Sequence, residues 1–443
     1  MNNVRNWSLT VAVAGFLFGF DTVVISGANL PIKELWHTTP LFHGVFIMSM
    51  ALWGTVVGAL LGGYPCDKWG RKKTLLWIGI LFLVSALGSA LAPNPYVFSF
   101  FRFIGVIWVG ASSVAAPIYI SEISSPENRG KLGTLFQFNI VFGILIAFFS
   151  NYFFEGFSGE NDWRWMIGIV ALPALIYSVI VIRIPESPRW LILTKKDDRA
   201  GLAVLEMIYA PAQAKESFNE IKKDVITSTK VDTFFSKKYK FPILLAFLLA
   251  FFNQLSGINF ILYYAPEILE MAGLGAKESL FNSILIGVTN LVFTLIGMRL
   301  IDVLGRKQLM LIGSLGYIIS LTMVAFAFYS QLGSVVLLLS IMLFIASHAI
   351  GQGAVIWVFI SEIFPNTVRA NGQAFGTGIH WIFAALITLV GPIVIDIYKE
   401  NPWPIFAFFA FMMLLQLVFV LFMMPETKGL SLEEIESKMK AYD

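Results

Sequence analysis

A cluster of hydrogen-bonding side chains interrupts the apolar run from Phe241 to Ala265, whose centre reads Asn253-Gln254-Leu255-Ser256-Gly257-Ile258-Asn259. In hydrocarbon each unpaired polar group costs several kcal/mol, so such a cluster must face other helices or a water-filled cavity. Two interpretations are open. The side chains form hydrogen bonds between helices, or they form a solute site near the bilayer midplane on a locally unwound helix.

Two ionisable residues, Asp21 and Arg102, lie deep within other apolar runs. A charge at the centre of a bilayer costs at least about 2.5–3.5 kcal/mol on insertion scales. We therefore expect each of them to have a partner and a function. The alternative is a static buried ion pair that fixes helix packing.

The elements that must position these residues are membrane-spanning helices. Of the 443 residues, 57% are hydrophobic and 13% charged, and the mean hydropathy is +0.76, which predicts an all-α polytopic membrane protein. Apolar stretches of roughly 20 residues, enough to cross about 30 Å of hydrocarbon as helix, predict twelve transmembrane helices. They centre near 8–28, 44–64, 74–92, 98–120, 132–153, 166–184, 241–265, 280–301, 308–328, 335–360, 370–395 and 403–424.

The distribution of basic residues predicts the orientation. With Met1 in the cytoplasm, 26 of the 31 Lys and Arg residues fall on that side of the membrane. Arg102 lies within a span, and the other side receives Lys33, Arg164, Lys277 and Lys399. By the positive-inside rule, both termini are predicted to be cytoplasmic.

No pattern in the sequence indicates a metal, a cofactor or an enzyme active site. Cys66 is the single cysteine, and His37, His43, His348 and His380 have no ligand-like spacing. No Walker phosphate loop is present, so direct driving by ATP has no support. We therefore predict no metal, no cofactor and no enzymatic activity.

Three motifs occur twice, in the same order and at nearly the same offset. Gly62 to Lys73 reappears in outline as Asp302 to Lys307, Tyr119 to Ile123 with Arg129 as Phe359 to Ile363 with Arg369, and Pro185 to Ser187 as Pro425 to Thr427. Such a repeat indicates duplication. It predicts two pseudo-symmetric six-helix halves, 1–185 and 241–424, the plan of many transporters. The cytoplasmic linker is 186–240, and a cytoplasmic C-terminal helix occupies 425–443.

Amphipathic spacing predicts short helices outside the membrane. Two lie in the linker, at Leu191 to Tyr209 and Glu216 to Ile226, and a third covers Ser431 to Met439.

Taken together, the motifs resemble those of the sugar porter family of the major facilitator superfamily, in its bacterial sugar/proton symporter form. The matching residues extend over nearly the whole chain. They are Gly19-Phe20-Asp21, Asp67 to Lys73, Arg102, Glu122 with Arg129, Pro185 to Leu191, Gln254 to Asn259 with Tyr263-Tyr264, Ser361 to Pro365 and Pro425 to Gly429.

The resemblance implies roles for individual residues. A sugar site needs amides that both donate and accept, and aromatic rings that cover the apolar faces of the sugar. The implied hydroxyl-binding set is Gln137, Gln254, Asn259 and Asn290, and the implied aromatic platforms are Trp357 and Trp381. For the tryptophans the alternative is packing or an interfacial position.

Further roles are implied for gating and coupling. Tyr263 and Tyr264 resemble an outer gate, and Asp21 with Arg102 resembles a proton-coupling pair. A cytoplasmic latch, or a purely structural charge network, would comprise Asp67, Arg71, Glu122, Arg129, Glu186, Asp302, Arg306, Glu362, Arg369 and Glu426.

The implied activity is secondary active import of a monosaccharide, hexose or pentose, together with a proton by alternating access. An uncoupled uniporter and a sugar sensor on a transporter scaffold are the alternatives. The implied partners are sugar, proton and lipid bilayer, without nucleic acid or an obligate protein partner. The implied location is the bacterial cytoplasmic (inner) membrane. Asn253, Ala354, Ala384 and His348 depart from the family pattern, so the particular sugar stays open.

Overall fold

The computed structural model describes residues 2–124, 126–227, 233–365, 367–430 and 434–435, and the side chains at 2, 126–131 and 224–227 lie outside the description. All regular structure in these ranges is helical. The first helix, Asn2–Leu35, has 34 residues. At 1.5 Å per residue it is roughly 50 Å long, which exceeds the hydrocarbon thickness.

Twelve helical segments among the described residues are long and apolar enough to cross a membrane. They are Asn3–Leu35, Pro40–Leu61, Arg71–Ala90, Pro95–Ile123, Leu132–Phe154, Gly159–Val181, Lys237–Tyr263, Ala276–Leu304, Arg306–Tyr329, Ser334–Glu362, Arg369–Tyr398 and Trp403–Phe422, numbered here as the first to twelfth spans. Each predicted apolar stretch overlaps one of them, so the predicted all-α twelve-span fold is confirmed.

Several spans consist of more than one helix. The second span joins Pro40–Phe42, the π-helix His43–Met48 and Met50–Leu61, and the short helix Gly63–Trp69 follows it. The sixth span joins Gly159–Asn161, Asp162–Gly168 and Ala171–Val181. The tenth is divided at Gly351 into Ser334–Ile350 and Gln352–Glu362.

The seventh span is interrupted at the polar cluster. Helices Lys237–Tyr239 and Lys240–Leu255 precede the interruption, and Ile258–Tyr263 and Ala265–Met271 follow it. Gly257 has φ 85°, a left-handed conformation that L side chains rarely adopt. A Cβ there would also lie 2.7 Å from the Phe409 ring. The local unwinding that the sequence suggests is therefore observed.

The linker forms three helices rather than two: Pro188–Leu193, Asp198–Ile208 and Pro211–Thr227. The single helix predicted from Leu191 to Tyr209 is wrong, because a helix ends at Leu193 and the turn that follows contains Lys196 with a φ of 58°, which a continuous helix does not allow. Asp197 then caps a new helix by accepting from Ala200 N at 3.0 Å. The predicted helix from Glu216 to Ile226 begins earlier, at Pro211. The C-terminal helix predicted over 425–443 does not begin at 425, because residues 425–430 form a turn around Gly429; beyond them only Glu434 and Ile435 lie in the described part, and both are helical.

The chain divides into two compact units. The first comprises Met1–Asp21, Trp53–Ile144 and Ile167–Val231, and the second comprises Thr22–Leu52, Leu145–Met166 and Asp232–Asp443. The boundary within the first span follows directly after Asp21. The repeat predicts domain boundaries at 185 and 241 from sequence similarity, whereas the two units are defined by compactness. The predicted boundaries therefore stay a prediction.

Candidate functional site

Gln254 is the centre of a buried amide network in the second unit. Its Nε2 donates to Asn253 Oδ1 at 2.9 Å, and its Oε1 accepts from Asn259 Nδ2 at 2.8 Å. The interruption of the seventh span makes this possible, because Ser256 Oγ donates to Asn253 O at 2.6 Å and accepts from Ile258 N. The broken backbone thus brings together two amides that lie five positions apart.

His380 joins this network, a role that the spacing of the histidines in the sequence does not indicate. Gln254 Nε2 lies 3.2 Å from His380 Nε2 and 3.3 Å from Nδ1. The imidazole centroid is 4.9 Å from that of Trp357 and 4.7 Å from that of Trp381. The signal in the sequence was its position directly before Trp381. The structure therefore brings together Gln254, Asn259, Trp357 and Trp381 through a histidine.

The network leaves one buried donor unused. Asn253 is 1% exposed, and its Nδ2 has no hydrogen-bond partner among the described residues. Leaving such a donor unsatisfied costs about 1–3 kcal/mol. A ligand oxygen that accepts from it would offset this cost.

Two other predicted sugar ligands are not bonded to this network in the described part of the chain. Asn290 is buried in the eighth span and accepts from Thr294 Oγ1 at 3.4 Å. Gln137 is half-buried in the fifth span and belongs to the first unit. Their assignment to the site stays a prediction.

The predicted gate residues are buried side chains. Tyr264 Oη donates to Thr388 O at 2.6 Å, which fixes the end of the seventh span to the eleventh. Tyr263 is 1% exposed. Their role as a gate stays a prediction.

Asp21 and Arg102 form a buried ion pair in the first unit. Arg102 Nη1 donates to Asp21 Oδ1, and Nη2 lies 3.4 Å from Asp21 O. The two residues are 5% and 2% exposed. Arg102 Nε has no hydrogen-bond partner among the described residues. We expected each of these buried charges to have a partner, and Asp21 and Arg102 are partners of each other.

The repeated charged motifs form a compact cluster at Arg71 in the first unit. Arg71 Nε and Nη2 each lie 3.0 Å from the Glu122 carboxylate, a bidentate arrangement. Glu186 accepts from the backbone N–H groups of Arg71 at 2.9 Å and Lys72 at 3.0 Å. These N–H groups begin the third span, so the carboxylate caps its positive end.

The second copy repeats this local structure in the second unit. Arg306 Nε and Nη2 lie 3.1 Å and 2.7 Å from the Glu362 carboxylate. Glu426 accepts from the N–H groups of Arg306 and Lys307 at 3.0 Å each and caps the ninth span. The internal repeat is therefore a repeat of hydrogen bonds as well as of sequence.

The two capping carboxylates differ in their pKa. Burial raises the pKa of Glu186, although its backbone hydrogen bonds lower it. Burial also raises the pKa of Glu426, but hydrogen bonds from four backbone N–H groups lower it by more and hold it below its usual value. The two copies are thus not equivalent electrostatically.

Among the side chains that the structure describes, the remaining members of the predicted latch form weak ion pairs or none. Asp67 and Asp302 lie 3.3 Å and 3.7 Å from their arginines and are largely exposed, so these pairs contribute little. Arg369 donates to Phe364 O at 3.3 Å and forms no ion pair among the described residues. The Arg129 side chain lies outside the description. Because each observed cluster lies within one unit, a latch between the halves stays a prediction.

A buried chain of hydrogen bonds near the end of the first span was not foreseen from the sequence. Thr38 Oγ1 lies 2.8 Å from His43 Nδ1, and His43 Nε2 lies 2.7 Å from Asn29 Oδ1. Asn29 Nδ2 donates to Glu267 Oε2 at 2.8 Å. Burial raises the pKa of Glu267, partly opposed by Lys33 and Asn29. Three segments of the second unit are joined in this way.

A further polar network in the second unit connects spans nine, ten and twelve. Gln416 Nε2 donates to Ser314 Oγ at 2.8 Å, and its Oε1 accepts from Gln352 Nε2. Tyr317 Oη lies 2.5 Å from His348 Nδ1 and 3.4 Å from Gln352 Oε1. The amide nitrogens of Gln352 and Gln416 both have hydrogen-bond partners, which fits a role in hydrogen bonding between helices.

The twelve spans and the amide–aromatic cluster on a broken helix define a polytopic membrane protein of the transporter class. The family model described as "Sugar (and other) transporter" matches residues 7–439. The chain belongs to this family, the sugar porters of the major facilitator superfamily, and the resemblance deduced from the motifs is confirmed.

Individual relatives match over nearly their full length. The arabinose-proton symporter of Bacillus subtilis (strain 168) is 34% identical, over 97% of this chain and 93% of the relative. The D-xylose-proton symporter of Escherichia coli (strain K12) is 33% identical, over 97% and 94%. The inward open structure of the xylose transporter XylE from E. coli superposes with a TM-score of 0.87 at 32% identity, over 98% of this chain and 99% of that one.

Proposed function

We propose that this transporter imports a monosaccharide together with a proton by alternating access of its two halves. The observation that carries the proposal is the buried amide network of Gln254, placed beside the aromatic rings of Trp357, His380 and Trp381. Amides exchange hydrogen bonds with hydroxyl groups in both directions, and rings cover the apolar faces of a sugar. Relatives named for arabinose and for D-xylose support a monosaccharide as the substrate.

Each residue of the cluster receives a role in this proposal. Gln254 and Asn259 bind sugar hydroxyls, and the unused Nδ2 of Asn253 donates to a further one. Trp357 and Trp381 flank the ring of the sugar. His380 positions Gln254 and supplies a nitrogen to the site. Asn290 and Gln137 complete the predicted hydroxyl-binding set.

Coupling to the proton is assigned to Asp21 and Arg102. A carboxylate that leaves a buried ion pair is left uncompensated, and it avoids this cost by accepting a proton. Asp21 is therefore charged while paired with Arg102 and protonated when separated from it. A proton and a sugar enter together, and re-formation of the pair releases the proton on the other side.

The orientation and location belong to the same proposal. Both termini and the linker 186–240 lie in the cytoplasm, and the membrane is the bacterial inner membrane. Tyr263 and Tyr264 gate the outer side. The Arg71 and Arg306 clusters act on the cytoplasmic side, where they stabilise one of the two access states.

Uptake into proteoliposomes tests this function. Labelled arabinose, xylose and glucose are supplied with and without an imposed pH gradient that is acidic outside. We expect at least one sugar to accumulate above its equilibrium level only with the gradient, and Asp21→Asn to permit equilibration only. Uptake that ignores the gradient would indicate a uniporter, and binding without any uptake would indicate a sensor.

A further inference from the structure

A groove outside the candidate sugar site lies at the start of the seventh span. Its volume is about 380 Å³, and its lining includes Phe235, Lys237, Lys240, Leu244 and Phe247. All of these residues belong to the second unit. None of the hydrogen bonds of the Gln254 network involves this groove.

The groove is cationic at one end. Lys237 and Lys240 are exposed and lie three positions apart at the start of a helical segment, so they share one face. Neither lysine forms an ion pair within the part of the chain that the structure describes. Two unneutralised ammonium groups in one groove favour an anion.

The groove is apolar along the rest of its length. Ile243, Leu244 and Phe247 follow the lysines into the span, and Leu244 is 43% exposed. From Lys240 to Phe247 the helix rises by roughly 10 Å, which is the distance from the interface into the hydrocarbon. A ligand that fits both ends has an anionic head and a hydrocarbon tail.

Aromatic rings form the remaining wall. Phe235 is 76% exposed, although its ring centroid lies 4.9 Å from Phe234 and 6.3 Å from Phe375. Phe375 belongs to the eleventh span, which also carries His380. A ligand in the groove would therefore contact the seventh and eleventh spans, two of the three spans that carry the amide–aromatic cluster.

We propose that this groove binds one anionic phospholipid, with its phosphate between Lys237 and Lys240 and an acyl chain along Ile243, Leu244 and Phe247. Basic pockets between transmembrane helices on the cytoplasmic side suit anionic head groups. The sign of the charge selects an anionic lipid over a zwitterionic one. The bound lipid stabilises the packing of the seventh span on the eleventh.

Native mass spectrometry of the purified full chain tests this site. Phosphatidylglycerol and phosphatidylcholine of equal chain length are added separately, and retained lipid is counted. We expect the parent to retain phosphatidylglycerol preferentially. The double variant Lys237→Gln with Lys240→Gln should bind phosphatidylglycerol roughly 30-fold more weakly, because each lysine near an anionic lipid contributes about 1 kcal/mol of binding free energy. Lys238→Gln is the matched control, because Lys238 lies over the Tyr239 ring at 5.0 Å and does not line the groove.

Thermal unfolding of the same samples separates lost binding from misfolding. Phosphatidylglycerol should raise the unfolding temperature of the parent and of Lys238→Gln, but not that of the double variant. Without lipid, the double variant and Lys238→Gln should unfold at the same temperature. Equal retention of both lipids by the parent, or parent-like retention by the double variant, contradicts the proposal. Displacement of the lipid by inorganic phosphate at equal concentration would show that the groove binds a free anion instead.

Discussion

Replacement of Gln254 by alanine is the sharpest test of the amide network. Gln254 bonds Asn253 and Asn259 and contacts His380, so one truncation removes every polar contact of the Gln254 side chain within the cluster. If the side chain also bonds a sugar hydroxyl, its loss leaves that hydroxyl unpaired in a dry site. An unpaired group of this kind costs about 1–3 kcal/mol, which corresponds to a roughly 5- to 150-fold rise in Kd.

Truncation also destabilises the protein, so a matched control is needed. Gln416 is equally buried, lies in the same unit and is bonded through both ends of its amide to Gln352 and Ser314. Gln416→Ala should therefore lower stability comparably and leave the sugar Kd near that of the parent. The comparison separates a ligand contact from the general cost of emptying a buried amide position.

Isothermal titration of purified protein with the transported sugar gives the Kd, and size-exclusion chromatography gives the folded fraction. Asn259→Ala and Trp357→Ala should weaken binding in the same way as Gln254→Ala. If all three bind sugar like the parent, the cluster only joins helices and the site lies elsewhere.

Four further substitutions have distinct expected results. Asp21→Asn should lower the free energy of unfolding by about 3–5 kcal/mol, since it leaves a buried guanidinium without its partner. Arg102→Gln should lower it less, because the remaining carboxyl can accept a proton, whereas a guanidinium cannot lose one. Denaturant unfolding in detergent measures both values, and the reverse order would contradict this reasoning. Glu122→Gln should reduce the transport rate far more than sugar affinity by shifting the access equilibrium inward-open, and an equal loss of both would indicate misfolding. Burial, with the neighbouring charge of Glu267, raises the pKa of Glu270 from 4.5 to about 7. Between these two pH values the folded state binds more protons than the unfolded state, so the free energy of unfolding should fall as pH rises from 4.5 to 7. Glu270→Gln should flatten this fall in a series of unfolding temperatures, and an unchanged pH profile would count against the shift.

The membrane made much of the fold predictable from sequence. Every span must satisfy its backbone internally and be apolar for about 20 residues, so twelve stretches could be located by composition alone. The break at Gly257 was also foreseeable, because polar residues and a glycine coincide in the middle of an apolar run. Linker boundaries were harder, since a single turn at Lys196 divides a continuous amphipathic pattern.

Contacts distant in sequence limited the prediction of the site. His380 lies 126 positions from Gln254, and Asn29 lies 238 positions from Glu267. Periodicity describes one helix at a time, so it could not show that a histidine completes the amide network. The pairing of Arg71 with Glu122 was easier to anticipate, because the same two residue types recur in the second copy as Arg306 and Glu362.

Sugar-induced proton movement tests the central claim most directly. Proteoliposomes of the parent protein are suspended in lightly buffered medium without a pH gradient, and the transported sugar is added outside while the external pH is recorded. Symport predicts that the medium becomes more alkaline as protons enter with the sugar, and that Asp21→Asn gives no pH change while it still binds sugar. Sugar entry by the parent protein without any rise in external pH would contradict proton coupling through Asp21 and Arg102.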